Sequence, residues 1–143
     1  MVTEQRAIRA GSAVLIVDGD SILLGRRNKH PNFGRWVLPG GKIEFGETHV
    51  DAAVREAKEE LGLTIRIQRL AGCGIYYILP PPEHRLIIYS VAERIAGDIH
   101  PSSDISEARF FTPHELLDLD LTEIVSCVLR DESWLPPPSA EGS

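Results

Sequence analysis

The sequence predicts one layered α/β domain, and three observations carry that prediction. Short runs rich in Val, Ile, Leu and Tyr are broken by Gly, Pro and Asp, as in strands joined by turns. One long segment has its apolar residues at helical spacing. A second helical stretch follows the strands, so helices and strands must pack as layers. At 143 residues, with 43% hydrophobic and 25% charged side chains, the chain matches a single globular core. The domain is expected over residues 1–132, and 133–143, with "PPPSAEGS", reads as a disordered tail.

The first element is a hairpin. Ala13–Val17 and Ser21–Gly25 are apolar runs flanking Asp18-Gly19-Asp20, and Asp-Gly between such runs is a turn signal. Asn28–Trp36 reads as a polar loop around Pro31 and Gly34, and "VLPGG" ends a short strand on a turn. Thr48, with Asp51 three residues on, forms a capping box in which Asp replaces the usual Glu or Gln. Val50, Ala53, Val54, Ala57 and Leu61 make an apolar stripe, and Gly62 is a C-terminal stop. A helix is therefore expected from about Thr48 to Leu61. Thr64–Leu79 is rich in β-formers, with glycines that predict a bend or bulge. Pro80–His84 reads as a loop, Arg85–Arg94 as a strand, Ala96–Asp104 as a loop and Glu107–Phe111 as a strand. Thr112-Pro113 opens a short helix with proline at the first helical position. Asp120 and Glu123 read as a further capping box for a last helix ending near Arg130.

Composition narrows the function. A net charge of −6 argues against wholesale binding of a nucleic acid backbone, so no polymer partner is expected. "MVTEQRAIRA" lacks the apolar centre of a leader, and no run approaches membrane-spanning length. Cys73 and Cys127 make no disulfide framework and read as ordinary thiols of a reducing cytoplasm.

The unusual stretch is Gly40–Leu63. Six acidic side chains lie between Glu44 and Glu60. On a helix, Glu60 falls about 40° to one side of Glu56 and Glu59 about 60° to the other. Three like charges on one stripe repel. That stripe is expected roughly opposite the apolar side of Val50, Val54 and Leu61, and taken alone it is an ordinary solvated face. The flanks point to chemistry instead. Gly40-Gly41 lets backbone approach a ligand closely, Glu47 stands just ahead of the helix, and Arg55 can hold a carboxylate in a two-pronged grip. Hard divalent cations take such oxygen ligands, a few carboxylates completed by phosphate oxygens.

Gly41, Glu47, Arg55, Glu56, Glu59, Glu60 and Gly62 are spaced as G-x5-E-x7-R-E-U-x-E-E-x-G-U, and the segment resembles the Nudix box with all seven fixed positions filled. A chance match in one window is on the order of 10⁻⁹ to 10⁻⁸ at ordinary residue usage. The one departure is Ala57, where the family usually has a larger aliphatic side chain. "LLGRR", "GRWVLPGGKIEFGET" and "EARFFTPHEL" are similar to the MutT-like, nucleotide-hydrolysing branch, and the likeness covers most of residues 10–130. It implies an α/β/α sandwich with a mixed sheet. It also implies a Mg²⁺-dependent hydrolase, with Mn²⁺ able to substitute, acting on a nucleoside diphosphate linked to a group X.

The same resemblance implies roles. Glu56, Glu59 and Glu60, with the Gly40 carbonyl, hold the metal, and Glu56 also activates water. Arg55 and Glu47 pair and orient the helix and its loop, and Lys42 orients a carboxylate or meets substrate. Arg26 or Arg27 binds phosphate or forms a surface ion pair. Leu38 lines the base pocket, while Trp36 packs in the core. Asp104 or Glu107 is a candidate further carboxylate. His49 lies near the stripe but at the helix start, and Tyr76 and Tyr77 alternate, so only one faces inward. The first substrate expectation is a nucleoside triphosphate cleaved to monophosphate and pyrophosphate. ADP-ribose or a nucleotide sugar is the alternative, and a non-catalytic nucleotide-binding module the third, against which the intact carboxylates argue. The partner is a small nucleotide, with a homodimer left open.

Overall fold

A computed structural model of the chain describes residues 6–79 and 82–138. Strands β1 (Arg9–Asp18), β2 (Ser21–Arg27), β3 (Trp36–Val37) and β4 (Gly40–Lys42) precede helix α1 (His49–Leu61). Strands β5 (Thr64–Ile78), β6 (Glu83–Ala96) and β7 (Ile105–Phe111) follow, then helices α2 (Pro113–Leu116) and α3 (Glu123–Asp131). The strand order is β3-β2-β1-β6-β5, with β4 joined to β1 and β7 to β2. β1 and β6 run parallel from Arg9↔Arg85 to Ile16↔Ala92, and among the described residues the other strand pairs are antiparallel, with one isolated parallel bridge, Trp36↔Leu121. This is the expected mixed sheet.

Period-two alternation along β1 divides the core between two faces. Leu15 packs with Phe111, Leu116, Val128 and Leu129, so α2 and α3 cover one face. Val14 and Ile16 pack with Ala53, Ala57 and Leu61, so α1 covers the other. The result is the α/β/α sandwich. Each fully buried Leu or Ile contributes about 1.5–3 kcal/mol relative to exposure. Trp36 is 9% exposed and meets Phe111 edge-on at 4.9 Å, in the core as expected. Tyr76 packs inward while Tyr77 is 65% exposed, as alternation requires.

The hairpin forms as expected, with Gly19 at φ 63° in its turn. The glycine pair differs from expectation. Gly40-Gly41-Lys42 is not a turn but β4, paired with Gly11–Ala13, and the Pro39 carbonyl accepts from the Val14 N–H at 2.9 Å. Gly40 sits at φ 152°, and a Cβ there would overlap the Ser12 carbonyl, so no other residue fits this close strand contact. Of the expected Pro80–His84 loop, Pro80 and Pro81 lie outside the described residues, Pro82 is in a turn, and Glu83 and His84 already belong to β6.

The last helix is capped by Thr122, not Asp120: its hydroxyl accepts from the Val125 N–H. The reason is that Trp36 N–H donates to the Asp120 carbonyl at 2.9 Å, which keeps this segment beside β3. The Asp120 carboxylate meets Arg35 at 3.3 Å instead. Packing continues past the helix, where Trp134 N–H donates to the Leu129 carbonyl at 2.7 Å and Trp134 and Leu135 rest on the core. The end of the expected tail, 139–143, lies outside the described residues. Among the described residues no helix is long and apolar enough to cross a membrane.

Candidate active site

Helix α1 is fixed at both ends. The Thr48 hydroxyl accepts from the Asp51 N–H at 3.0 Å, and the Asp51 carboxylate accepts from the Thr48 N–H at 3.1 Å. At the far end Gly62 turns left-handed at φ 73°. The loop between β6 and β7 then closes over the last turn. Ser102 donates its N–H to the Glu60 carbonyl at 2.9 Å and its hydroxyl to the Glu59 carbonyl at 2.6 Å. His100 N–H donates to the Leu61 carbonyl at 2.8 Å. Carbonyls that a helix end leaves open are thus satisfied by chain some forty residues away.

The expected apolar stripe needs correction. The buried residues of α1 are Ala52, Ala53, Ala57 and Leu61, whereas Val50 is 36% exposed. At 100° per residue these buried positions bracket Glu56 and Glu60. The carboxylates therefore do not lie opposite the core; two of them belong to the side that faces the sheet. Small side chains make this workable. Three alanines let α1 approach closely enough for the Ser12 hydroxyl to donate to the His49 carbonyl at 2.8 Å and for Gly40 N–H to donate to Glu60 Oε1 at 3.1 Å. The alanine at position 57, unusual for the motif, is fully buried at this contact.

Burial is what distinguishes Glu60. It pushes the carboxyl pKa up to about 8; the Gly40 hydrogen bond opposes the shift, Glu56 and Asp104 reinforce it, and Arg27 eases it least. Glu56 is raised too, by burial first, against the pull of Arg55. Arg55 organises the outer side. Its Nε and Nη2 donate to both oxygens of Glu47 at 2.7 and 3.0 Å, its Nη1 to Glu56 Oε1 at 2.6 Å, and its Nη2 to the Lys42 carbonyl at 3.0 Å. Hydrogen bonds from Arg55, then from the Glu44 N–H, pull Glu47 down to about 2. The same bonds, Glu47 first, hold Arg55 protonated. Gly41 completes the arrangement, because a Cβ there would stand 2.7 Å from Glu56 Cδ.

The remaining expected residues are placed unevenly. Glu59 reaches Arg55 at 3.4 Å, but its side chain is 56% exposed. A register shift between Arg26 and Arg27 turns both arginines toward β7 and its preceding loop. Arg26 meets Glu107 at 3.2 Å and Arg27 meets Asp104 at 3.9 Å, so two candidate cations pair with the two candidate carboxylates. Leu38 is 7% exposed within the core cluster. Lys42 is exposed and contributes its carbonyl, as His49 does. Ser12, Ser102 and the Gly40 N–H are positioning groups with no signature in local sequence, since each acts across the fold.

Among the described residues no three Asp, Glu, His or Cys side chains converge to enclose a metal ion. The donor chemistry nevertheless fits one. Glu60 is a partly buried carboxylate whose only hydrogen-bond partner among the described residues is a backbone N–H, with Glu56 and Asp104 adding negative charge. Mg²⁺ commonly takes one or two carboxylates and completes its shell with water and phosphate oxygens.

The α/β/α sandwich thus presses partly buried carboxylates against a glycine strand. The chain belongs to the NUDIX family, whose domain matches residues 7–131. An ADP-ribose pyrophosphatase of Methanocaldococcus jannaschii is 35% identical over 81% of this chain and 70% of its own length. The NAD-capped RNA hydrolase NudC of Pseudomonas fluorescens is 32% identical over 82% of this chain, which spans only 41% of that relative. A crystal structure of a MutT NUDIX hydrolase from Burkholderia pseudomallei superposes with a TM-score of 0.82 at 26% identity, covering 88% of this chain and 98% of the other. The chain is thus an enzyme acting on phosphorus anhydrides, in a family that generally uses a divalent metal.

Proposed function

We propose that this enzyme hydrolyses the diphosphate of a nucleoside diphosphate linked to a sugar, ADP-ribose foremost, with Mg²⁺ or Mn²⁺ held by Glu56 and Glu60 and assisted by Glu59 and the Gly40 carbonyl. The observation that carries the reading is Glu60, a partly buried carboxylate without a cationic hydrogen-bond partner among the described residues. A bound divalent cation supplies charge neutralisation at the phosphoryl oxygens. The protein supplies the rest. Arg55 holds Glu56 Oε1, leaving the second carboxylate oxygen beside Gly41 to take a proton from the attacking water. Glu47 fixes Arg55 from behind. Asp104, brought to Glu60 by the loop over the helix end, is an additional carboxylate of the site.

Charge favours one of the two expected substrates. The terminal phosphate of a triphosphate needs a cation beyond the metal, and Arg26 and Arg27 are both engaged by carboxylates. A diphosphate-linked sugar makes no such demand, and the M. jannaschii relative is named for that substrate. The triphosphate reading keeps one support, the close superposition on the MutT structure. Metal-loaded enzyme offered ADP-ribose and the deoxynucleoside triphosphates in parallel separates the two. Release of AMP and ribose 5-phosphate, with triphosphates turned over at least about tenfold more slowly in kcat/KM, is expected. Triphosphates converted to monophosphate and pyrophosphate while ADP-ribose stays intact would overturn it.

A further inference from the structure

Strand β5 ends the sheet, and among the described residues it pairs with β6 alone. Its outer edge therefore carries a row of backbone groups that another strand can meet. Proteins blunt such edges with bulges and charge, and the first half of β5 shows both. Its register against β6 shifts between Thr64 and Ile65, between Ile67 and Arg69 and between Leu70 and Gly72. Arg66 and Arg69 lie there, paired with Glu93 and Glu132. The second half shows neither device. From Gly72↔Tyr89 to Ile78↔Glu83 the pairing is unbroken, and Leu70–Leu79 holds no charge and no proline. Cys73, Ile75 and Tyr77 share one face by alternation, and all three are exposed, Ile75 at 63% and Tyr77 at 65%. A flat, apolar edge of this kind is a place of association.

The order of side chains along this edge selects the partner. Ala71, Gly72, Cys73 and Gly74 are all small, Tyr76, Tyr77, Ile78 and Leu79 are all large, and Ile75 stands between the two sets. Two copies of the strand run antiparallel about Ile75 set every small residue of one against a large residue of the other. Gly74 faces Tyr76, Cys73 faces Tyr77, Gly72 faces Ile78 and Ala71 faces Leu79, each contact made twice. Only Ile75 meets itself, and no charge opposes its like. The Tyr76 ring lies back over its own Gly74, an arrangement that sets the two Tyr76 rings side by side across the axis. We propose that this edge binds the same edge of a second copy of the chain, joining the two sheets about a two-fold axis at Ile75. Because the contact uses one edge of each copy, it closes at two. Nine residues a side is fewer than the roughly 20–30 of a standard interface, so the pair forms and parts with concentration. The proposal does not depend on which substrate the enzyme cleaves.

Sedimentation of the full-length protein from about 1 μM to about 1 mM tests the pairing. The mass is expected to rise with concentration from 15.8 kDa towards twice that value and to stop there. Ile75→Lys sets like charges against each other on the axis. It is expected to leave a monomer across the range, with an unchanged far-UV spectrum because the side chain replaced is exposed. Tyr77→Glu puts an unpaired charge into the contact and is expected to weaken the association by at least about tenfold. Adding Cys73→Lys to Tyr77→Glu is expected to restore it, because positions 73 and 77 face each other in this register. A monomer at the highest concentration, growth beyond two copies, a dimer that survives Ile75→Lys, or no recovery in the Cys73→Lys, Tyr77→Glu protein would each overturn the proposal.

Discussion

Glu60 holds more negative potential than its surroundings balance, and two measurements read that imbalance. Its folded pKa, about 8, lies above the ordinary 4.5. In metal-free protein the folded state therefore keeps a proton that the unfolded chain has lost, and stability falls as pH rises from about 4.5 to about 8. Glu60→Gln removes this titration while keeping an acceptor for the Gly40 N–H. Its stability without metal is expected to match the parent's below pH 4.5 and to exceed it above pH 8, by an amount on the order of a few kcal/mol at most, read from Tm. The same variant loses metal-dependent turnover. A pH-independent Tm difference between the two proteins would show that Glu60 is not raised. Arg55 is a positioning residue with a different signature. Arg55→Lys cannot span Glu47 and Glu56 together, so kcat is expected to fall by about tenfold or more, with KM little changed. An unaltered kcat would separate Arg55 from the orientation of Glu56.

The elements were legible in the sequence where their signals are local. Thr48, Asp51 and Gly62 announce α1, and Asp18-Gly19 the first hairpin, because each motif satisfies its own neighbours. The candidate site residues Glu47, Arg55, Glu56 and Glu60 follow one another at fixed spacing, and the fold brings them together beside Gly40 and Gly41. Their surroundings were not. Periodicity placed Val50 and Val54 in the core, and Val54 does pack at its margin, but the sheet selects the alanine side, where β4 approaches closely, and leaves Val50 exposed. Asp120 carries a capping signal that its backbone pairing with Trp36 overrides. Thr122→Ala is accordingly expected to destabilise the fold by about 1 kcal/mol, and Asp120→Ala by clearly less, in parallel denaturant titrations. Equal losses would restore Asp120 as a cap. Gly41→Ala is expected to fold, because its added methyl meets the end of the Glu56 side chain rather than backbone. It should lose turnover as that carboxylate is displaced, whereas normal activity would show that Glu56 tolerates another position.

For the molecule as a whole, the proposed metal site would link metal binding to folding. A cation that recognises only the folded site raises stability by about 2.7 kcal/mol at a hundredfold excess over Kd. It also displaces the proton from Glu60, so calorimetry in buffers of different ionisation enthalpy should report proton release near neutral pH. Activity should vanish in excess chelator and return with Mg²⁺ or Mn²⁺; full turnover after stripping would refute the metal reading.

The loop over the end of α1 has a consequence in time. His100 and Ser102 spend their amide protons on carbonyls of the last helical turn, so those protons cannot meet solvent while that turn is intact. In deuterium they should exchange at the pace of Gly62, whose amide closes the same turn, and far more slowly than the surface residue Asp98. The segment carrying Asp104 and the helix carrying Glu60 then open and close together, as one unit of local unfolding.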